Sequence, residues 1–228
     1  MNLKKAELAI LKKYDLIVAL NEKDKQLLID AGIDKSSIMR MCSFHGFCQS
    51  ATYNPDCYQL LFYGAMARKE NYLSVIWFIE NVMPYLDDKY KLIIAGSNPP
   101  DELKKFESER IIITGFVESI IPYFENSLCL VSPLLLGAGI KIKILEALSA
   151  GIPVLTNNVG SEGIDLVDGI SYLHCESAQD FINAIEELSV NVNLRMKLSK
   201  NGRLLVKRDF NVDSTLDMLI GRINEYEK

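Results

Sequence analysis

The sequence predicts an α/β fold, a parallel sheet with helices on both faces, over residues 51–228. Three observations predict it. From Tyr58 onward, short apolar runs alternate with stretches of helical spacing. The runs LLFYG, KLIIAG, IIITG and LCLVSP are apolar at successive positions, as in strands buried on both faces. The first three end in Gly64, Gly96 and Gly115. A glycine there lets backbone approach a ligand beyond the carboxyl end of a strand. Taken singly, each is more simply a turn residue; the repetition and the segment described below shift that balance.

The elements run in the following order. MNLKKAELAILKK reads as an amphipathic helix. A short strand over 16–20 and a second helix follow, with Asn21 as its cap and acidic residues in its first turn. SFHGFCQSATYNPD, rich in small polar residues with Gly46 and Pro55, reads as a linker. After the strand LLFYG, apolar residues at Tyr72, Val75, Ile76, Ile79, Val82, Met83 and Leu86 predict a helix, with Asn71 as its cap. KLIIAG is the next strand. A polar helical stretch leads to IIITG, and SIIPYFENS is a short helix before LCLVSP. IKIKILEALSAG is a helix starting near Ile140 and closed by Gly151. PVLT and ISYLHC are the last strands, and three helical stretches end the chain.

Composition narrows the function classes. At 228 residues and 49% apolar, the chain buries a core without needing disulfides. No segment approaches the roughly 20 apolar residues of a membrane span, and the first residues lack the features of a secretory signal. The expectation is a cytoplasmic location. A net charge of −5 speaks against a nucleic-acid partner. The five cysteines, Cys42, Cys48, Cys57, Cys129 and Cys175, form no CxxC pair, which fits reduced thiols with packing roles. His45 and His174 are too few and too scattered to suggest a metal site.

The chemistry lies in PLLLGAGIKIKILEALSAGIP, from Pro133 to Pro153. A strand ends, a glycine-rich loop follows, and a helix begins. Helix starts carry free N–H groups and a partial positive charge, so they hold phosphates. Gly137 and Gly139 remove side chains where a diphosphate needs close access. Lys141 and Lys143 put cations beside it. Two residues apart on a helix, they cannot both point the same way, and Lys141, nearer the start, is the better phosphate ligand. Lys143 would pair with Glu146 or assist. The segment is no dinucleotide fingerprint, because the third glycine is missing and the loop follows the fourth strand of its region. Nor is it a P-loop, since GxxxxGK[ST] is absent.

GAGIKIKILEALSAGIPVLTN followed by VGSEGIDL resembles the donor-site segment of GT-B glycosyltransferases, in particular the glycosyl transferases of group 1. Many of these are retaining enzymes that build bacterial surface polysaccharides and glycolipids. LLFYGAMARKEN, LIIAGSNPP and IIITGFV resemble the first three strands of the family's Rossmann-like C-terminal domain, so the likeness covers residue 58 to the end. YDLIVALNEKDKQLL and SFHGF resemble the last pieces of the N-terminal acceptor domain and the linker. The resemblance thus divides the chain into 1–50, a remnant of the N-terminal domain, and 51–228, a nucleotide-sugar-binding domain with a closing C-terminal helix that reaches across.

By matching position, Glu146 resembles the glutamate that binds the donor ribose; its plainer reading is a helix glutamate paired with Lys143. Arg68 and Lys69 resemble the basic residues that neutralise the diphosphate, against a reading as a solvated loop. Gly64 and Ile140 fall where the phosphates and donor are approached, and Phe116 and Val117 where backbone contacts the nucleobase. Ala138 stands where many relatives carry a second glutamate, which leaves placement of the donor sugar open.

The resemblance implies sugar transfer from a nucleoside-diphosphate sugar to a saccharide or lipid-linked acceptor hydroxyl. Lys141, Arg68, Lys69 and the helix start would stabilise the departing diphosphate. No D-x-D occurs in the sequence, so no metal and no further cofactor is expected. Peripheral attachment to the inner face of the membrane is left open. The alternatives are a nucleotide-sugar-binding module that acts only with a separate N-terminal half or as a homodimer, a nucleotide-sugar epimerase of the same fold, and an inert remnant.

Overall fold

The computed structural model describes residues 3–41, 51–53 and 58–226. The chain divides into two compact units: Met1–His45 with Phe210–Lys228, and Gly46–Asp209. Most of the expected linker, with Cys42, Cys48, Cys57 and His45, lies outside the described residues.

The first unit opens with α1 (Leu3–Leu11), β1 (Ile17–Ala19) and α2 (Glu22–Asp30). Asn21 caps α2 as its sequence position implies, its Oδ1 accepting from Asp24 N at 2.7 Å. Parallel to β1 runs β2 (Ile38–Arg40), which three residues were too few to reveal by period. Ile17, Ala19, Ile33 and Ile38 form this unit's core, with Leu8, Leu11, Leu28 and Ile29 packed against it.

In the second unit the order is β3 (Gln59–Tyr63), α3 (Lys69–Asn81), β4 (Lys91–Ala95), α4 (Asp101–Lys104), β5 (Ile111–Gly115), α5 (Ile121–Glu125), β6 (Cys129–Ser132), α6 (Ile142–Ala150), β7 (Val154–Thr156), α7 (Asn158–Ser161), β8 (Leu173–His174), α8 (Ala178–Val190) and α9 (Val192–Asp209). The last helix, α10 (Val212–Tyr226), groups with the first unit rather than with the sheet that precedes it in sequence.

Six parallel strands lie in the order β5-β4-β3-β6-β7-β8. The chain winds outward from β3 to β5, then crosses back to β6 and winds the other way. The crevice between the carboxyl ends of β3 and β6 is therefore the topological switch point, where open α/β sheets bind ligands.

Both faces are buried in β3, β4, β6 and β7, as their unbroken apolar runs require, whereas β5 at the sheet edge is only partly covered and leaves Ile112 exposed. Leu60, Phe62, Leu92, Ile94, Cys129 and Val131 join one large core. Above it lie α3 and α8, whose Phe78 and Phe181 meet edge-on with centroids 5.8 Å apart. The alternate residues Leu61, Ile93 and Leu130 are equally buried and point to the opposite face. That face holds α5 and α6, because Tyr63 packs edge-on against Phe124 and hydrogen-bonds Glu146. Against α6 packs α9. At Gly202 of α9 an added Cβ would lie 2.9 Å from Leu148 Cδ2, so a side chain there would force the Leu148 side chain to shift.

Two helix starts differ from the sequence expectation. The helix expected from Asn71 begins at Lys69, with Arg68 as its N-cap and no side-chain capping bond. The helix expected near Ile140 begins at Ile142, with Lys141 as its N-cap in extended backbone (φ −95°, ψ 102°), again without a side-chain cap. Among the described residues, no helix is long and apolar enough to cross a membrane.

Candidate functional site

A cleft of about 400 Å³ lies at the switch point. Its walls come from the turn after β3 and the start of α3 on one side, and from the β6–α6 loop and the start of α6 on the other. The lining includes Gly64, Arg68, Asn71, Gly137, Lys141 and Glu146.

Close packing of backbone builds the first wall. Gly64 N donates to Ala95 O at 3.0 Å and Met66 N to Ser97 O at 2.9 Å, which ties the turn to the end of β4. A Cβ on Gly96 (φ +152°) would lie 1.7 Å from Gly64 O, so only glycine allows these two strand ends to meet. Asn71 then fixes the turn from within α3. Its Nδ2 donates to Ala65 O at 2.8 Å, and its Oδ1 accepts from Lys143 Nζ at 2.8 Å. The amide the sequence offered as a helix cap thus spans the two walls of the cleft.

The second wall is held from behind. Asn157 Nδ2 donates to Leu134 O at 2.8 Å, and Leu135 N donates to Ser74 Oγ at 3.1 Å. Gly139 N donates to Glu162 Oε2 at 2.7 Å. Lys141 Nζ donates to Gly139 O at 2.5 Å and stands 3.8 Å from Glu162 Oε2. The sequence placed Glu162 within VGSEGIDL but gave it no role, because that role depends on a loop 23 residues away folding back onto it.

The two lysines correct the helical reading. Because Lys141 sits outside the helix in extended backbone, it and Lys143 both line the cleft. Lys143 does not pair with Glu146. Its ammonium lies 4.5 Å from the centre of the Phe62 ring and bonds Asn71. Loss of water around that ammonium, and next the charge of Lys141, lower its pKa from 10.5 to about 7. Glu146 instead accepts from the Tyr63 hydroxyl. Burial raises its carboxyl above the usual value, and the Tyr63 hydrogen bond pulls the other way.

The remaining predicted residues divide. Gly64, Arg68, Gly137, Ile140, Lys141, Lys143 and Glu146 line the cleft, whereas Lys69, Gly139, Phe116 and Val117 lie outside its lining. Arg68 is 69% exposed and paired with Glu70. Phe116 follows β5, two strands away from β3, with 76% of its surface exposed.

Chemically, the cleft gathers two helix starts without side-chain caps, three cations and two carboxylates, Glu146 and the Glu70 that pairs with Arg68. Uncapped N–H groups and cations suit an oxyanion such as a diphosphate. A half-buried carboxylate facing the same space suits a pair of hydroxyls. Among the described residues, no group of three or more His, Cys, Asp or Glu is placed to hold a metal ion.

Comparison with known proteins agrees with this architecture. Residues 57–191 match the family model described as "Glycosyl transferases group 1". An uncharacterized 44.6 kDa protein in the cps region of Klebsiella pneumoniae is 24% identical over 163 residues, covering 66% of this chain and 42% of the relative. A 41.2 kDa protein in the same organism's cps region is 27% identical over 180 residues, covering 72% and 49%. The chain thus spans less than half the length of these relatives. Among solved structures, a glycosyltransferase from Rickettsia africae superposes with a TM-score of 0.81 at 18% identity, over 99% of this chain and 67% of that one. Anabaena HepE in complex with UDP and glucose superposes with a TM-score of 0.77 at 11% identity, over 96% and 66%.

Proposed function

The chain belongs to the glycosyl transferases of group 1, and from that premise we propose that it moves a sugar from a nucleoside-diphosphate sugar to an acceptor hydroxyl, in the synthesis of a surface polysaccharide or glycoconjugate. One observation carries this reading: the uncapped starts of α3 and α6, with Arg68, Lys141 and Lys143, converge on a single cleft that Glu146 of α6 also lines. The diphosphate lies between Gly64 and the Gly137–Lys141 loop, with Lys69 adding charge from outside the lining. Glu146 receives the ribose hydroxyls. The base extends past Gly96 towards Val117 and the exposed face of Phe116.

In the transfer step, negative charge grows on the leaving diphosphate as the bond to the sugar breaks. Fixed N–H groups, Lys141 and Arg68 stabilise that charge without reorganising. A helix start supplies roughly 0.3–1 kcal/mol when exposed and about 2 kcal/mol when partly buried, so the lysines carry the larger share. We propose that no metal takes part. Activity lost to a chelator and restored by a divalent cation would overturn that.

The place of the two Klebsiella relatives in a cps region supports polysaccharide synthesis. The HepE complex makes UDP the first nucleotide to try. A second reading, donor binding without transfer by these 228 residues alone, is favoured by the share of the relatives they span.

The test is the melting temperature of the chain with UDP, GDP, ADP and no ligand. Ligand at about a hundred times its Kd stabilises by roughly 2.7 kcal/mol, which is about 5–10 °C for a domain of this size. The expected result is a shift with one nucleotide, abolished in Lys141→Ala and reduced in Glu146→Ala. No shift with any of the three would refute donor binding by these residues. Product analysis with donor alone and with donor plus acceptor then separates epimerisation, transfer and binding only.

A further inference from the structure

Tyr63 ends β3, one residue before the cleft glycine Gly64. Its hydroxyl donates to Glu146 Oε2, and its ring is seated edge-on against Phe124 of α5, with centroids 5.9 Å apart and planes at 88°. Both Tyr63 and Glu146 line the cleft. No sequence motif singles this tyrosine out, and β-strand alternation alone would file it with Leu61 on a core face.

A glutamate carboxylate rotates easily about its last torsion, which has broad wells. An ionised one offers about four acceptor positions on two oxygens. We propose that Tyr63 is a positioning residue for the donor ribose: by holding one oxygen of Glu146, it turns the remaining acceptor positions of the carboxylate towards the ribose diol. This rests on the donor-site reading above. The chain of support runs from Phe124 on α5 through Tyr63 on β3 to Glu146 on α6, so three elements fix one carboxylate.

The electrostatics agree with the geometry. Burial favours the protonated form of Glu146, and the Tyr63 hydrogen bond favours the ionised form. An ionised carboxylate accepts from both hydroxyls of a diol, whereas a protonated one has fewer acceptor positions. The neighbouring charges are otherwise committed. Lys143, one turn earlier on α6, is bonded to Asn71. Arg68 and Glu70 at the start of α3 pair with each other. Glu125 on α5 accepts from Thr52 N. Arg203 on α9 bonds the carbonyls of Ala51 and Ala150, at the far end of α6. Lys141 stands beside Glu162.

The experiment measures calorimetric affinities of the full 228-residue chain and of Tyr63→Phe for UDP and for 2′,3′-dideoxyuridine diphosphate, across pH 5 to 8. Loss of a hydrogen bond to a charged group is expected to weaken UDP binding roughly tenfold. The dideoxy analogue should bind both proteins alike, because its sugar does not engage Glu146. The pH below which UDP affinity falls should move upward in Tyr63→Phe. Adding Tyr63→Phe to Glu146→Gln should cost nothing further. Equal weakening of both ligands, an unmoved pH limb, or a full additional loss in the double variant would each overturn the proposal. A wild-type chain that binds neither ligand would bring down the donor-site reading itself. Intact UDP binding that is indifferent to Tyr63→Phe would remove this inference alone.

Discussion

Replacing Lys143 by methionine should stabilise the unliganded protein at mildly acidic pH while damaging its proposed site. The folded chain holds this ammonium against Phe62 and beside Lys141, and its pKa falls from 10.5 to about 7. At about 1.4 kcal/mol per pH unit, that displacement corresponds to roughly 5 kcal/mol of disfavoured charge. Below pH 7 the lysine is charged both folded and unfolded, so folding bears the whole cost. Between pH 7 and 10.5 the unfolded chain holds the extra proton, so wild-type stability rises with pH and the cost fades. Methionine keeps the stem's packing but leaves Asn71 Oδ1 without its donor, which returns about 1–3 kcal/mol of the gain. The net expectation is about 2–4 kcal/mol of added stability near pH 6, shrinking towards zero by pH 9 to 10. Urea unfolding of both proteins at pH 6, 8 and 9.5 measures this directly. A variant less stable than wild type at pH 6, or one whose difference does not change with pH, would refute the argument. Nucleotide affinity should fall at least tenfold in the same variant, because one cation leaves the diphosphate site.

Two further predictions concern stability. Gly96→Ala should cost about 2–5 kcal/mol, since backbone strain of about 1–3 kcal/mol adds to the overpacking of a Cβ 1.7 Å from Gly64 O. Gly64→Ala should cost less, because its nearest obstacle is a side-chain atom of Asn71 at 2.9 Å rather than backbone at 1.7 Å; denaturant midpoints of the two variants check the ranking, and equal costs would contradict it. Ser177→Ala removes the capping box of α8, in which Ser177 and Asp180 satisfy each other's backbone N–H groups. It should cost roughly 1 kcal/mol by thermal or urea unfolding.

Strand and helix identity in the second unit was readable because it depends on local period. LLFYG, KLIIAG, IIITG and LCLVSP are apolar without alternation, and the structure buries both faces of all but IIITG, the edge strand β5, whose Ile112 is exposed. Gly151 closes α6 in left-handed backbone, as its position after an apolar helix implies. The same reasoning misplaced the start of α3 by three residues and that of α6 by two, because a cap is decided by which partner the side chain finds. Asn71 was free to cap a helix in isolation; in the folded chain its amide meets Ala65 and Lys143 instead.

The sequence by itself determined that a glycine-rich loop, two lysines and a glutamate would cluster near one helix start, since they lie within a few residues of one another. Only the tertiary structure decided what each group touches. Lys143 and Glu146, three residues apart, went to Asn71 and Tyr63, which lie 72 and 83 residues away in the chain. Period and propensity act over a few residues, whereas the crossover from β5 back to β6 sets which distant side chains meet. That crossover brings the ends of β3 and β6 side by side, and with them the two walls of the cleft.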